Sequence, residues 1–207
     1  MPPFTLGALP MDLPRSRLSL LFVLLILLSV SVSHSATSIL EGIVVKIAAG
    51  DMITVLDSDK VLHRVRIAGI DAPEKNQPFG NASGKRLGEL VARNEVRVEF
   101  DKHDRYGRIV GKVRVTPIDC PACDKTLDVG LAQITTGMAW WYRKYANEQS
   151  PEDQGRYEFA EQEAKAKKAG LWQDKNPTPL WEFRKHGDPH ISCLLHFSFR
   201  HGPWYRR

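Results

Sequence analysis

Short apolar stretches separated by turn-forming residues dominate the first half of the chain. Residues 39–47 and 52–56 are rich in apolar and β-branched side chains, and Ala-Ala-Gly-Asp lies between them at 48–51. Two such stretches joined by a short turn are typical of a β-hairpin. Residues 62–70 extend the pattern with alternating apolar and arginine side chains, as in a strand with one buried face. Gly69 is expected to form a bulge where this strand ends.

A helix and a second hairpin are predicted next. Asn81 or Ser83 is expected to cap a helix that runs to about Arg93, because short polar side chains accept hydrogen bonds from the first backbone N–H groups of a helix. Residues 96–102 and 109–115 then alternate apolar and polar positions around a Tyr-Gly turn. This spacing predicts two further antiparallel strands.

Two more helices follow the fifth strand. Residues 128–136 form the first, with Gly137 as its stop. Residues 157–169 form the second, because Glu and Lys recur four residues apart and Gly170 follows. One helix therefore precedes the fourth strand and two follow the fifth, which predicts an α+β, mainly β fold built on a small, closed, mostly antiparallel barrel.

The first 36 residues differ in character from the rest. An apolar run covers residues 18–32, with Arg15 and Arg17 before it and a small, polar stretch at 33–38 after it. This layout is typical of a secretory signal peptide, and the run is shorter than the roughly 20 residues of a membrane-spanning helix. The sequence therefore predicts an exported, periplasmic or extracellular protein with no stable membrane anchor after cleavage.

The remaining chain is long enough for one domain with its own hydrophobic core. We expect this domain to cover residues 37–175 and to be monomeric, and we expect residues 176–207 to form a poorly ordered tail, because they are rich in Pro, Arg and His without periodicity. Across the 207 residues Lys and Arg exceed Asp and Glu by five. Such an excess favours polyanionic partners but identifies none.

Cys120 and Cys123 are close enough in sequence to form a disulfide in an oxidising compartment. A thiol oxidoreductase is an alternative interpretation, but that chemistry needs the pair at the start of a helix after a buried strand. Here the pair follows Thr116-Pro117-Ile118-Asp119, a loop. A structural disulfide is the favoured interpretation.

Five charged residues in predicted strand ends and turns are suited to phosphodiester cleavage. Asp51 and Asp71 could hold a divalent cation, since hard cations prefer carboxylate oxygens. Glu74 could accept a proton from an attacking water. Arg66 and Arg108 carry planar guanidinium groups that bind two phosphate oxygens at once and stabilise charge at phosphorus.

Three motifs in the same order resemble the staphylococcal nuclease family. They are Asp-Ala-Pro-Glu at 71–74, Asp-Arg-Tyr-Gly-Arg at 104–108 and the ending Glu-Ala-Lys-Ala-Lys-Lys-Ala-Gly-Leu-Trp at 163–172. The resemblance covers about residues 40–172. It implies a five-stranded OB-fold barrel with three helices, which is more specific than the α+β class that the spacing alone predicts.

The resemblance also implies a site for one Ca²⁺ ion. The positions that match the family's calcium ligands are Asp51, Asp71 and the backbone carbonyl of Ala72. Two neighbours depart from the family pattern: Ala49 stands where an aspartate is common, and Met52 replaces the usual threonine. Both changes could weaken the affinity for the cation or change its selectivity.

The resemblance implies further substrate contacts. Arg105 and Tyr106 match positions that contact substrate phosphate, and Trp140 and Tyr142 match aromatic residues that border the base pocket. Stacking of bases on aromatic rings tolerates any sequence. The alternative is that these rings, with Trp141, only cap the barrel, and for Trp141 we favour the core.

The function that the resemblance implies is a calcium-dependent endonuclease, a hydrolase that cleaves DNA and RNA with little sequence specificity. Water assisted by Glu74 would attack phosphorus and the 5′ oxygen would leave, giving 3′-phosphate products. Arg66 rather than Arg64 matches the family's phosphate-binding arginine. The alternative function is an OB-fold nucleic-acid-binding protein with weak or no turnover.

Overall fold

The computed structural model describes residues 37–184. The strands are β1 Ser38–Ala49, β2 Met52–Leu56, β3 Leu62–Ile67, β4 Ile70–Asp71, β5 Glu95–His103, β6 Ile109–Val115, β7 Leu127–Asp128 and β8 Trp140–Trp141. Five of them, β1, β2, β3, β5 and β6, close into a mixed barrel. In the larger sheet the strand order is β3-β2-β1-β5-β6-β7, and an additional pairing between β3 and β6 closes the barrel. Strands β4 and β8 form a separate two-stranded sheet.

The closing pair is parallel, whereas the other barrel neighbours are antiparallel. Val65 on β3 pairs with Ile109 on β6, and Ile67 pairs with Gly111. The inward-facing side chains of the strands are mostly Val and Ile, which pack well on a pleated surface, and they form one core with residues from the helices. The α+β, mainly β class and the five-stranded barrel are confirmed.

Helices pack against the barrel and form much of the C-terminal half of the chain. They are α1 Gly80–Val91, α2 Val129–Thr135, α3 Pro151–Ala166 and the short α4 Leu180–Phe183, with 3₁₀ turns at Arg143–Glu148 and Gly170–Gln173. A hydrogen bond from the buried Tyr157 hydroxyl to Asp128 Oδ1, 2.8 Å long, ties α3 to the start of α2. Asp128 Oδ1 also accepts from Leu131 N at 3.0 Å and so caps α2.

Two helix starts differ from their predictions. Helix α1 begins at Gly80 after Phe79, and neither Asn81 nor Ser83 caps it. Ser83 instead lies in the buried face of α1 and donates its hydroxyl to Met138 O at 2.7 Å, so its polar group serves tertiary packing. Helix α3 begins at Pro151 rather than at 157, because Ser150 Oγ accepts from Asp153 N at 3.2 Å and Pro is well suited to the first helical position.

The predicted strand at 62–70 is interrupted. Strand β3 ends at Ile67, a turn follows, and β4 begins at Ile70. Gly69 adopts φ +73° in this turn, a conformation that glycine adopts without a steric penalty. The expected bulge is therefore a turn, and it directs the chain from the barrel wall into the segment that contains Asp71.

The predictions for the chain ends have different outcomes. The predicted signal peptide at 1–36 lies outside the described residues. The predicted tail at 176–207 differs where it is described, because α4 forms and Leu180 is only 2% exposed. Within residues 37–184 no helix has both the length and the apolar character that crossing a membrane requires.

A disulfide joins Cys120 and Cys123, whose Cα atoms are 5.3 Å apart. The pair lies in the connection between β6 and β7, in a turn where Cys123 N donates to Cys120 O. It does not begin a helix, so the local structure lacks the feature that the redox interpretation needs.

Candidate active site

Two buried aspartates lie at neighbouring turns on one end of the barrel. Asp51 follows Gly50 in the turn between β1 and β2, and Asp71 ends β4; they are 6% and 4% exposed. Ile67 N donates to Asp51 O at 2.9 Å, which joins the first turn to the end of β3. A Cβ atom on Gly50 would collide with Ser83 and approach Ala72 Cβ at 2.9 Å. The turn of Asp51 therefore packs directly against the segment of Asp71 and Ala72.

The two carboxylates are electrostatically costly where they lie. Burial, followed by repulsion from Asp51, raises the pKa of Asp71 from 3.8 to about 7. Burial also raises the pKa of Asp51, although the positive charge of Arg66 opposes the rise. Removing a carboxylate from water disfavours its charged form. This end of the barrel therefore holds negative charge that a cation would stabilise.

The residues present fit a hard divalent cation. Asp51 and Asp71 supply carboxylate oxygens, and the adjoining backbone carbonyl of Ala72 is the third candidate donor. Among residues 37–184 no group of three or more His, Cys, Asp or Glu side chains is arranged to hold a metal ion. A cation at this place would therefore need carbonyl and water oxygens to complete its coordination, as calcium and magnesium commonly do.

Arg66 lies beside the aspartates at the end of β3. Its side chain is mostly buried, and its Nη2 approaches Ile70 O at 3.4 Å while its Nη1 lies 3.5 Å from Glu148 Oε2. The guanidinium carbon is 5.8 Å and 5.6 Å from the ring centres of Tyr142 and Tyr145. Aromatic faces attract such a cation, so the ring pair and Glu148 hold the guanidinium in place.

Arg64, two residues earlier on β3, has a different partner. Its guanidinium donates to Tyr106 O at 2.8 Å in an exposed contact. Arg66 is mostly buried, whereas Arg64 makes an exposed contact; the choice of Arg66 as the arginine of the site stays a prediction.

Arg108 reaches the same region from the start of β6. Asp104 Oδ2 accepts from its Nη2 at 2.6 Å and from its Nε at 2.7 Å, and its Nη1 lies 3.0 Å from Met52 Sδ. Met52 pairs with Arg66 across β2 and β3 and directly follows Asp51. Arg66 therefore lies opposite Met52 across the two strands, and Arg108 contacts the Met52 sulfur, so both arginines neighbour the residue that follows Asp51.

Glu74 lies at the more exposed edge of this cluster, in the loop between β4 and α1. Gln77 Oε1 accepts from its backbone N–H at 2.9 Å, and a Cβ atom on Gly80 would collide with its backbone carbonyl. The loop is thus packed tightly on the first turn of α1. The Glu74 carboxylate is paired with Arg184, whose Nη2 is 2.7 Å from Oε1, and its negative charge contributes to the raised pKa of Asp71 after burial and Asp51.

A family model described as staphylococcal nuclease homologue matches residues 64–174. The chain belongs to the staphylococcal nuclease family. A micrococcal nuclease of Shigella flexneri is 40% identical over 155 residues, which are 74% of this chain and 86% of the relative. Protein ParB of Escherichia coli is 39% identical over 154 residues, or 74% and 84% of the two chains. An uncharacterized endonuclease of Escherichia coli is 35% identical over 145 residues, or 70% and 85%.

The family match includes four of the five charged residues of the cluster, and Asp51 precedes it. It ends before Trp181 and Arg184, so the contacts of these two residues lie outside the part that the family model covers. The resemblance from three short motifs correctly identified the family.

The other residues predicted to contact substrate form two separate groups, one at Arg105 and Tyr106 and one at Trp140 and Tyr142. Arg105 and Tyr106 are in the exposed turn between β5 and β6, where the guanidinium of Arg105 lies 4.9 Å from the Tyr106 ring centre. Arg108 lies over the same ring at 5.3 Å. These three side chains form one cationic and aromatic surface that leads from solvent to Arg108.

The aromatic residues at 140–142 have different environments. Trp140 is only 3% exposed and Trp141 belongs to the hydrophobic core, as favoured for Trp141. Tyr142 is more accessible, but the Trp181 ring stacks on it at 5.2 Å between ring centres and 14° between planes. Trp181 also meets the edge of Trp140 at 6.3 Å. Trp181 therefore occupies one face of the Tyr142 ring, the ring on which a base would stack.

Four residues of the site region were missed by sequence reasoning. Tyr145 and Glu148 flank Arg66, and Trp181 and Arg184 reach the site from the C-terminal segment. The first two lie in a 3₁₀ turn without a periodic pattern. The apolar cluster Pro-Leu-Trp-Glu-Phe at 179–183 was the available signal for a packed element after residue 175.

Proposed function

We propose that the protein is a calcium-dependent endonuclease that hydrolyses phosphodiester bonds of DNA and RNA with little sequence specificity. The observation that carries this proposal is the packing of two buried carboxylates, Asp51 and Asp71, beside the charge of Arg66, with Arg108 on Met52, the residue that follows Asp51. Membership of the family supports it, as do the names of the relatives, a micrococcal nuclease and an endonuclease. Specificity is expected to be low, because phosphate contacts carry no sequence information.

In this proposal the side chains have separate tasks. Arg66 and Arg108 bind the non-bridging oxygens of the scissile phosphate and stabilise the charge that grows on them in the transition state. Glu74 orients a water and accepts its proton as the oxygen–phosphorus bond forms. A calcium ion held by Asp51, Asp71 and the Ala72 carbonyl would supply Lewis-acid polarisation of a phosphoryl oxygen.

The products follow from the bond that breaks. The bond between phosphorus and the 5′ oxygen breaks on the side opposite the attacking water, and the 5′ oxygen takes up a proton to become a hydroxyl. The phosphate remains on the 3′ carbon. Arg108 must give up one of its hydrogen bonds to Asp104 in order to bind phosphate. A nucleic-acid strand would enter along the surface that Arg105 and Tyr106 form beside Arg108.

The test is cleavage of end-labelled single-stranded DNA and RNA with calcium and with chelator. We expect cleavage with calcium alone, 3′-phosphate ends, and a kcat about 10²- to 10⁴-fold lower for Glu74→Gln, as for the loss of a general base. Glu89→Gln on α1 is the matched control and should cleave normally. Equal activity in calcium and chelator, or normal turnover by Glu74→Gln, would refute the proposed mechanism.

The same assay separates the second candidate function. Salt-sensitive oligonucleotide binding without cleavage, unchanged by Glu74→Gln, would indicate a nucleic-acid-binding barrel. The pairing of Glu74 with Arg184 is the observation that favours this candidate, because a carboxylate held by a guanidinium is less available as a base.

We also propose that the protein is exported and acts as a monomer. The disulfide between Cys120 and Cys123 supports export, since such bonds persist in oxidising compartments. N-terminal sequencing of the mature protein is expected to give a start between Ser33 and Ser38, and an intact leader would contradict export. Light scattering during size-exclusion chromatography would test the monomeric state.

A further inference from the structure

The C-terminal helix α4 is firmly attached to the aromatic side of the site. Leu180 is 2% exposed, and the Trp181 ring stacks on Tyr142 at 5.2 Å. The segment before α4 is also joined to the loop of Glu74, because Gln77 Nε2 donates to Thr178 O at 3.3 Å. The N-terminal end of this short helix is therefore held by tertiary contacts.

The attachment of α4 brings one more cation to the acidic cluster. Arg184 directly follows α4, and its Nη2 and Nε donate to Glu74 Oε1 at 2.7 Å and 3.2 Å. Its positive charge also opposes the rise in the pKa of Asp71 that burial and Asp51 cause. Arg184 thus lies close enough to the carboxylates of the site to act on them electrostatically.

We propose that Arg184 is a substrate-binding residue that takes a phosphate of the nucleic-acid strand when the strand enters. The inference rests on the proposed nuclease function. Both Arg184 donors bind one Glu74 oxygen, Oε1, and a carboxylate held by a guanidinium is less available as a base, so opening of the pair would free Glu74 to accept a proton from water. A guanidinium released beside the scissile phosphate has a ready partner, because its planar donors match two phosphate oxygens.

The geometry favours movement of the side chain over movement of the helix. The Arg184 side chain is 62% exposed, so its guanidinium can rotate from Glu74 to a phosphate without disturbing packed residues. Release of α4 as a lid would expose Leu180 and separate Trp181 from both Tyr142 and Trp140. The helix therefore acts as a fixed support from which Arg184 reaches the substrate.

The test compares steady-state cleavage of a single-stranded oligonucleotide in calcium by four proteins. They are the wild type, Arg184→Gln, Arg184→Lys and the control Lys175→Gln, which removes an exposed charge from the same segment. For Arg184→Gln we expect KM to rise about 3- to 10-fold with kcat within about twofold of wild type, since a contact made equally in ground and transition states changes KM alone. Arg184→Lys should recover part of the loss, and the control should match wild type.

Salt dependence gives a second readout that a structural role would not change. Loss of one phosphate contact should make the slope of log KM against log salt less steep by about 0.7 for a single strand. A higher kcat for Arg184→Gln would overturn the proposal in favour of an inhibitory arginine. An equal fall in kcat and kcat/KM, or no change in either, would also overturn it.

Binding of a nucleoside 3′,5′-bisphosphate separates this inference from the proposed function, because this ligand has phosphates but no internucleotide bond. If the wild type binds it without cleaving nucleic acid, the nuclease proposal fails, and weaker binding by Arg184→Gln still supports the role of Arg184. Equal binding by both proteins, or no binding by the wild type, overturns the role of Arg184, whereas the cleavage assay alone decides the nuclease proposal.

The support from α4 can be tested in the same assay. Trp181→Ala removes the stack on Tyr142, so Arg184 should lose its position and KM should rise. In the double variant with Arg184→Gln the two effects should be clearly less than additive, because both changes remove one contact. Full additivity would mean that Trp181 acts independently, and α4 would then not be the support of Arg184.

Discussion

Asp71→Asn should stabilise the calcium-free protein at neutral and alkaline pH. The folded protein raises the pKa of Asp71 from 3.8 to about 7, chiefly by burial and then by repulsion from Asp51. Between these two values the folded chain keeps a proton that the unfolded chain releases, so the free energy of unfolding falls as the pH rises from about 4 to about 7. Asparagine carries no charge and does not have this dependence.

The size of the effect follows from the change in pKa. A rise of about 3 at about 1.4 kcal/mol for each pKa unit corresponds to about 4 kcal/mol above pH 7. Asp51 shares the repulsion, and the amide has its own desolvation cost, so we expect Asp71→Asn to gain about 2 to 4 kcal/mol over wild type at pH 8. Below about pH 3 the gain should vanish, because the wild-type carboxyl is then protonated in both the folded and the unfolded state.

The assay is urea unfolding in chelator at pH 5 and pH 8, followed by the fluorescence of the five tryptophans. Asp59→Asn is the control, because it makes the same chemical change in an exposed turn and should differ little from wild type at either pH. The reasoning is refuted if Asp71→Asn is no more stable than wild type at pH 8, or if its advantage is as large at pH 5 as at pH 8.

Calcium should reduce the stability advantage of Asp71→Asn over wild type. A ligand at 100 times its Kd stabilises the folded state by about 2.7 kcal/mol, and the wild type should gain this stabilisation while Asp71→Asn loses most of it. A variant that is stabilised by calcium as strongly as wild type would show that Asp71 is not a ligand.

Two further predictions concern packing. Tyr157→Phe removes the buried hydrogen bond from the Tyr157 hydroxyl to Asp128, while Leu131 N still donates to the same oxygen, and should cost about 1 to 3 kcal/mol in thermal or urea unfolding; a change below about 0.5 kcal/mol would contradict this. Gly80→Ala should lower both stability and cleavage, because its Cβ would collide with the carbonyl of Glu74. Gly84→Ala on the same helix meets nothing within 4 Å and should stabilise by about 0.5 to 1 kcal/mol without changing activity. Equal effects of the two glycine changes would refute this account.

The sequence was most informative where the pattern is local. Alternation in the barrel strands predicted both hairpins, since inward positions of a strand repeat every second residue. The start of α3 was missed because its first turns, from Pro151 to Gly155, are polar and show no apolar period. A local signal was nevertheless present, because Ser150 precedes Pro151 as a cap.

The site was predictable only where a residue type and its neighbours together matched a known pattern. The Asp-Ala-Pro-Glu motif indicated Asp71, Ala72 and Glu74, but the motif does not reveal how Ala72 meets the turn of Asp51. The pair between Glu74 and Arg184 joins residues 110 positions apart. No periodicity or spacing reports such a contact, so only the three-dimensional structure identifies it.

The parallel pairing of β3 with β6 determines when, during synthesis of the chain, the site can form. Arg66 on β3 pairs with Val110 on β6. The side of the barrel that carries Arg66 is therefore complete only after β6, which lies more than forty residues further along the chain, has been synthesised. A proteolytic fragment or nascent polypeptide that stops before Ile109 lacks this strand and cannot bring the two turns of the acidic cluster to their final separation. Hydrolytic competence should therefore arise in one step, late in synthesis, and a partly made enzyme should be harmless to nucleic acids near it.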